Sequence, residues 1–408
     1  MPKYAIHLFM PATVLLLSAI LIALPSTGAA AGSPAAGSPG APIIPAPPQL
    51  AAEGYLLLDA DTGRVLVEHN SKQRLPPASL TKIMTSYVAA EEIERGTLTE
   101  TEEVDVSVKA WRMEGSRMFI QEGTKVSVDQ LLKGIIIQSG NDASVAMAEH
   151  IAGGEDAFAD VMNQHAMRLG MSDTNFMNAT GLPDEDHYTT ASDLAKLTIA
   201  LINRHPEHYK LYSEKSFRYN EINQSNRNKL LWADRSVDGV KTGHTEAAGY
   251  CLVASAVRNN MRLISVVMGT KSEKARATES QKLLSYGFRY FETVRLYDAR
   301  EILNTVRLWN AEVSSVSMGL GEAVVITLPR GSKGSLSAAM DVESVILGPI
   351  SAGQALGQLT VSMGDNVVYE GPLIALADIP EAGFFKRMWH SLSLFFLQLF
   401  GGDPLKIP

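Results

Sequence analysis

Two stretches that read as β runs bounded by turn residues stand far apart in this chain, and that separation constrains the fold more than any other feature. Near the start, "GYLLLDADTGRVLVEHN" is two β runs around Asp61-Thr62-Gly63, a hairpin signal. Far downstream, "DGVKTGHT" and "AGYCLVASAVRNNMRLISVVMG" read as strands again, with a turn at Arg258-Asn259-Asn260. Between them the apolar spacing is helical. "VSVDQLLKGIII" opens on Ser127 as an N-cap, "NDASVAMAEHIAGG" is closed by Gly153-Gly154, and "TTASDLAKLTIALINRHP" ends before Pro206. One more helix, "ESQKLLSYGFRYFETV", follows the last strands. Hairpins need no crossover helices, so the pattern predicts an α/β sandwich whose antiparallel sheet brackets a helical middle.

The two ends of the chain are different in kind. Lys3, the apolar run "VLLLSAILIAL" (Val14 to Leu24), Pro25-Ser26 and the small residues Ala29-Ala30-Ala31 have the order of an export signal over residues 1–31. The run stops well short of the about 20 apolar residues of a membrane span; an uncleaved signal anchor is the alternative. Residues 32–48 are rich in Pro, Gly and Ala and predict an extended linker. The main domain is then expected over 49–295. Over 296–381, short β runs such as "AVVITLPRG" and "GQLTVSMGDNVVYEGPLIAL" predict a small all-β domain. The single cysteine, Cys251, allows no intrachain disulfide, and a net charge of −8 argues against a nucleic-acid surface.

Residues 382–401 predict an amphipathic helix. At about 100° per residue, Phe385, Met388, Trp389, Leu392, Phe395, Phe396, Leu399 and Phe400 share one side. Lys386, Arg387, His390, Ser391, Ser393 and Gln398 share the other, while Leu394 and Leu397 break the pattern. An aromatic face beside a Lys-Arg pair suits a helix lying in a membrane interface. The alternative is a helix packed on its own β domain.

The chemistry begins at "PPASLTKIMTSYVAA". Pro77 suits the first turn of a helix, and positions i and i+3 share a helix face. Ser79 and Lys82 then project together near the positive end of the helix dipole. A serine hydroxyl is a poor nucleophile until a base takes its proton, and a lysine is a base only if burial or a neighbouring cation lowers its pKa. The arrangement therefore asks for a second positive group. One S-x-x-K is expected by chance in a chain of this length, on the order of once, so the pair needs company. It has two further motifs: Ser139-Gly140-Asn141 between two helices, and Lys241-Thr242-Gly243 on a strand. Rival chemistries lack their residues. There is no H-E-x-x-H; His205 and His208 surround Pro206 where a helix ends, so no metal or other cofactor is implied. No G-x-S-x-G elbow occurs, and "GLGEAV" has only part of a nucleotide fingerprint and reads as a turn.

The three motifs, in this order, are those of penicillin-binding proteins and serine β-lactamases. With the longer phrases "PASLTKIMTSY", "QSGNDASVAMAEH", "LLWADRSVDGVKTGHTEAAGYCLVASA" and "ESQKLLSYGFRYFET", the chain resembles the low-molecular-mass penicillin-binding proteins, specifically the serine-type D-alanyl-D-alanine carboxypeptidases. The resemblance runs from about Ala52 to the C-terminus. It implies a catalytic α/β domain of the penicillin-binding-protein and serine β-lactamase kind, followed by the all-β domain. It also implies removal of the terminal D-alanine from peptidoglycan pentapeptide stems, with β-lactams acylating the same serine. The helix at 383–401 becomes an anchor on the periplasmic face of the cytoplasmic membrane.

Carried over residue by residue, Ser79 is the nucleophile and Lys82 its general base. Ser139 relays a proton to the leaving group, and Asn141 holds the substrate amide. Lys241 supplies the second positive charge and, with Thr242, binds the substrate carboxylate. Gly243 lets the strand edge approach the substrate, and the backbone N–H groups of Ser79 and His244 form the oxyanion hole. His244 and Thr245 complete the strand. Arg276 falls near the carboxylate site, against the alternative of a surface arginine on a loop. One departure is visible: before the Gly-Leu pair at 181–182 the family often has a histidine, and this chain has Thr180. A β-lactamase, a DD-endopeptidase and a non-catalytic peptidoglycan-binding protein are the competing readings. No E-x-x-L-N segment is present, endopeptidases of the family usually lack the β domain, and both Ser79 and Lys82 are retained.

Overall fold

The computed structural model describes residues 44–407. The expected export signal, and the expected linker as far as residue 43, lie outside them. The main sheet has five antiparallel strands in the order Val65–His69, Gly54–Asp59, Met261–Thr270, Gly249–Arg258, Val237–Thr245. The early hairpin thus sits beside the late strands, as the bracketing pattern predicts.

Alternation along the strands divides the core. Leu56, Leu58, Val253, Ile264 and Val266 pack against the helical middle. Leu57, Leu252, Leu263 and Val267 face Leu283, Leu284 and Phe288 of the helix Glu273–Tyr290 on the other side. Each such side chain, fully buried, contributes roughly 1.5–3 kcal/mol. The helices Asn141–Ala152 and Ala191–Arg204 match the expected ones, the second capped by Thr190 Oγ1, which accepts from the Asp193 N–H. The stretch opened by Ser127 is helical only over Val128–Lys133 and continues as a wider turn, Gly134–Gln138. Two small two-stranded sheets escape the sequence pattern: Glu103–Asp105 with Lys125–Ser127, and the hairpin Ser216–Tyr219 with Ile222–Ser225. Strands this short give no alternating window to read.

The β-rich region is built on a five-stranded antiparallel sheet around Val316, Met318, Leu356, Leu359 and Leu373. A separate pair, Phe291–Tyr297 with Val324–Pro329, straddles the expected boundary at residue 295. It is fastened to the main sheet at Asp59. That buried carboxylate accepts from Thr293 Oγ1 (2.5 Å) and Thr327 Oγ1 (2.7 Å), while Arg64 donates to the Thr327 carbonyl.

The tail forms a helix over Phe384–Leu399. Its polar side meets the β domain: His390 Nδ1 accepts from the Asn310 N–H at 2.9 Å, and Lys386 donates to the Glu312 carbonyl at 2.7 Å. Its aromatic side is left outside, with Phe385 79 % and Trp389 68 % exposed. Among the described residues no helix is long and apolar enough to cross a membrane.

Candidate active site

Ser79 sits in a single tight turn, Ala78–Thr81, and Lys82 begins the helix Lys82–Glu94. The turn is strained at its first residue: Ala78 has φ +48°, in the left-handed region that side chains rarely adopt. Lys82 is completely buried. Its Nζ lies 3.2 Å from Ser79 Oγ and donates to Asn141 Oδ1 (2.7 Å) and the Thr180 carbonyl (2.6 Å). A neutral amine has two N–H bonds and one lone pair. The two carbonyl oxygens occupy the N–H bonds, which leaves the lone pair for the serine. Burial, and after it the Arg227 guanidinium, bring the Lys82 pKa down to about 7, against the opposing pull of Asp142 and Glu155.

Ser139 is reached from the wide turn Gly134–Gln138 and is left-handed, φ +67°. Such turns and such non-glycine conformations concentrate at functional sites. Its hydroxyl is buried without a protein hydrogen-bond partner at the wall of the cleft, so it is free to bond a bound molecule. Asn141, expected to hold the substrate amide, has its Oδ1 on Lys82 and its Nδ2 on the Glu114 carbonyl (2.7 Å). Next to it, Asp142 is buried and accepts from the N–H groups of Met118, Phe119, Ile120 and Ala143. That carboxylate fixes the loop that brings Ser116 to the cleft wall.

The third wall is the strand Val237–Thr245. Lys241 and Thr242 are buried, and Lys241 is held well below the ordinary lysine range by burial first, then by Lys82, Arg227 and Arg276. Arg227 is a cation acting on Lys82 besides the Lys241 that the motif reading expects, and the two buried lysines disfavour each other's protonated form. A Cβ on Gly243 would lie 3.0 Å from the Pro77 carbonyl and 3.2 Å from Ala78 Cβ. The missing side chain thus serves the approach of the strand to the nucleophile turn. His244 stacks on Tyr250 with ring centroids 3.9 Å apart, and Thr245 Oγ1 accepts from the Ala248 N–H across the hairpin turn. Arg276 is no surface loop residue: it is buried on the helix Glu273–Tyr290 and donates to the Gly243 carbonyl at 3.0 Å.

Ser79, Ser116, Ser139, Arg227, Thr242, Gly243 and Arg276 converge on one polar cleft of about 180 Å³. Arg227 is the residue that motif reading misses. Its neighbours Asn226 and Asn228 are buried, with their side-chain amides on the Glu214 and Gly239 carbonyls. These pins leave Arg227 to reach across to the Gln138 carbonyl (2.9 Å). At Thr180, where the family often has a histidine, the side chain is spent locally on Asn178 Oδ1 and the backbone carbonyl alone meets Lys82.

The chain as a whole is similar to known proteins. A family model described as D-alanyl-D-alanine carboxypeptidase matches residues 41–272, and one described as penicillin-binding protein 5, C-terminal domain, matches residues 291–381. The D-alanyl-D-alanine carboxypeptidase DacC of Escherichia coli is 42% identical over 362 residues, covering 87% of this chain and 90% of the relative. The structure of penicillin-binding protein 5 from Haemophilus influenzae superposes with a TM-score of 0.78 at 40% identity, over 82% of this chain and 99% of that one. Ampicillin-bound penicillin-binding protein D2 from Listeria monocytogenes gives 0.55 at 30% identity, over 59% of this chain and 98% of that one.

Proposed function

Because the chain belongs to the D-alanyl-D-alanine carboxypeptidase family of serine peptidases, we propose that Ser79 and Lys82 carry that reaction on peptidoglycan stem peptides through an acyl-enzyme. The observation that carries the assignment is the buried Lys82, with two carbonyl acceptors on its N–H bonds and its lone pair left for Ser79. Neutral Lys82 takes the Ser79 proton as Oγ attacks the penultimate D-alanine carbonyl. The Ser79 and His244 N–H groups stabilise the oxyanion. Ser139 passes a proton to the departing D-alanine nitrogen, and water then releases the acyl group. The substrate's terminal carboxylate enters beside Arg227, Arg276 and Lys241; an anion there restores the proton that burial disfavours on Lys241. A β-lactam offers the same carboxylate and a strained amide, so it acylates the same serine. Incubation with a pentapeptide ending in D-Ala-D-Ala tests the reading: free D-alanine is expected, and its absence from a folded preparation rules the reading out.

The enzyme is proposed to work outside the cytoplasm, held on the periplasmic face of the membrane by residues 383–401. The support is the orientation of the tail helix, whose polar side meets the β domain while its aromatic side is uncovered. Deep burial of each large aromatic is worth roughly 1.5–3 kcal/mol. Lys386 and Arg387 add on the order of 1 kcal/mol each near an anionic surface. Truncation after Glu381 is expected to abolish co-sedimentation with anionic vesicles while leaving turnover of a small peptide near normal. Equal vesicle binding by both forms would remove the anchor, and loss of peptide turnover would make the tail a structural part of the enzyme.

A further inference from the structure

The loop that follows the helical middle touches the catalytic centre at three consecutive depths. The Ala179 carbonyl accepts from Thr85 Oγ1 at 2.7 Å, and the Thr180 carbonyl accepts from Lys82 Nζ at 2.6 Å. Gly181 lies so close under the nucleophile turn that a Cβ there would fall 1.8 Å from the Ala78 carbonyl oxygen. Only a glycine, at φ +81°, permits this approach. The loop returns at Thr189, whose backbone exchanges both hydrogen bonds with Leu75, just ahead of the nucleophile turn. Between these two attachments stands His187.

His187 is 3 % exposed, and its ring packs edge-on against Phe176. Its Nε2 lies 3.0 Å from Thr81 Oγ1. Thr81 is fully buried and stands between Ser79 and Lys82 in the chain. The other ring nitrogen, Nδ1, is buried without a partner. Burial is the main cause that lowers its pKa to about 4; Asp184 on its own loop opposes that shift and Lys82 on the helix adds to it, so the ring is neutral. A histidine whose sole polar partner lies inside the S-x-x-K turn is placed to set geometry there. No part of the mechanism above uses it.

We propose that His187 is a positioning residue of the catalytic centre: through Thr81 it locks the 179–189 loop to the nucleophile turn and so keeps the Thr180 carbonyl on Lys82 Nζ. The consequence is geometric. With that carbonyl displaced, one N–H of neutral Lys82 loses its acceptor and the lone pair is no longer confined to Ser79. The loop's main chain then does, through a distant imidazole, what a side chain at position 180 does not do in this protein. The inference rests on the carboxypeptidase reading; D-alanine release by the wild-type protein tests that reading, and only the variants below test His187.

The variants are His187→Ala, His187→Gln, Thr81→Val and the double variant His187→Ala/Thr81→Val, each checked for folding by circular dichroism. His187→Ala and Thr81→Val are each expected to lower kcat for D-alanine release about tenfold with KM little changed, the cost of a misplaced base. The acid limb of kcat/KM should move to lower pH, because the ammonium form of Lys82 loses an acceptor that stabilises it. The double variant should be no worse than either single one, since both break one connection. His187→Gln, whose amide reaches the Nε2 position, should recover most of the rate. Additive losses, an unmoved acid limb, or a glutamine variant as slow as alanine would overturn the proposal. If His187→Ala does not fold, Thr81→Val against wild type decides by the same limb shift.

Discussion

Replacing Ser79 by alanine is expected to abolish D-alanine release and covalent labelling by a fluorescent penicillin together, a loss on the order of 10⁴-fold or more. The two readouts share one atom. Ser79 Oγ is the hydroxyl within reach of Lys82 Nζ, at 3.2 Å, and it opens onto the polar cleft. Ser139 and Ser116 line the same cleft, yet neither has a hydrogen bond to Lys82 in this structure. The substitution removes no buried partner that the fold needs, because the strained backbone at Ala78 is held from both sides by Gly181 and Gly243. The variant should therefore fold and still retain the substrate, with binding measurable by protection of the wild-type enzyme in competition. Labelling that persists in Ser79→Ala, or that moves to Ser139, would transfer the nucleophile to another residue.

Much of this was legible in the sequence, and the reasons differ from element to element. The sheet was legible because its strands carry continuous apolar runs, buried on both faces and bounded by turn residues, as at Leu56, Leu57 and Leu58. Helix ends were legible where a cap or a proline marks them, at Ser127 and before Pro206, whereas the Thr190 cap was not read from the sequence. The wide turn at Gly134–Gln138 was not, since "KGIII" continues the apolar spacing of the helix before it and nothing local marks the extra turn. Among the site residues, the motif serines and lysines announce themselves by order and spacing. Arg227 does not, because it is flanked by two buried asparagines whose amides grip the Glu214 and Gly239 carbonyls, and it reaches the Gln138 carbonyl 89 positions away. A run of S-N-R-N carries no periodicity; buried polar pins flanking a charged residue are visible only once the fold is known. His187 is hidden for the same reason, being joined to the centre across 106 positions of sequence. Gly243 is expected from its motif to let the strand edge approach the substrate; its closeness to the nucleophile turn is a further role visible only in three dimensions.

Lys82→Arg is expected to lower kcat/KM by roughly 10²–10⁴-fold, the usual worth of a positioned general base. A guanidinium does not give up its proton in this pH range, so the side chain remains a cation facing Ser79. The wild-type profile should show an acid limb near 7, where Lys82 loses the proton that blocks its lone pair. The sign at Arg227 then follows. Arg227 is a cation that opposes protonation of Lys82, so Arg227→Gln lets Lys82 hold its proton to higher pH. The acid limb of Arg227→Gln should shift upward; because Arg227 also meets the substrate carboxylate, KM should rise at every pH, so the position of the limb and not the alkaline plateau reads the effect on Lys82. Water reaches the exposed Arg227 side chain and screens it, so a displacement of under about one pH unit is expected. High salt should shrink the difference further. The argument is sharpened by burial being the larger cause: even without Arg227, Lys82 stays far below an ordinary lysine because it is fully enclosed. A limb that moves down in Arg227→Gln, or an active Lys82→Arg enzyme, would show that the proton leaves Ser79 by another route.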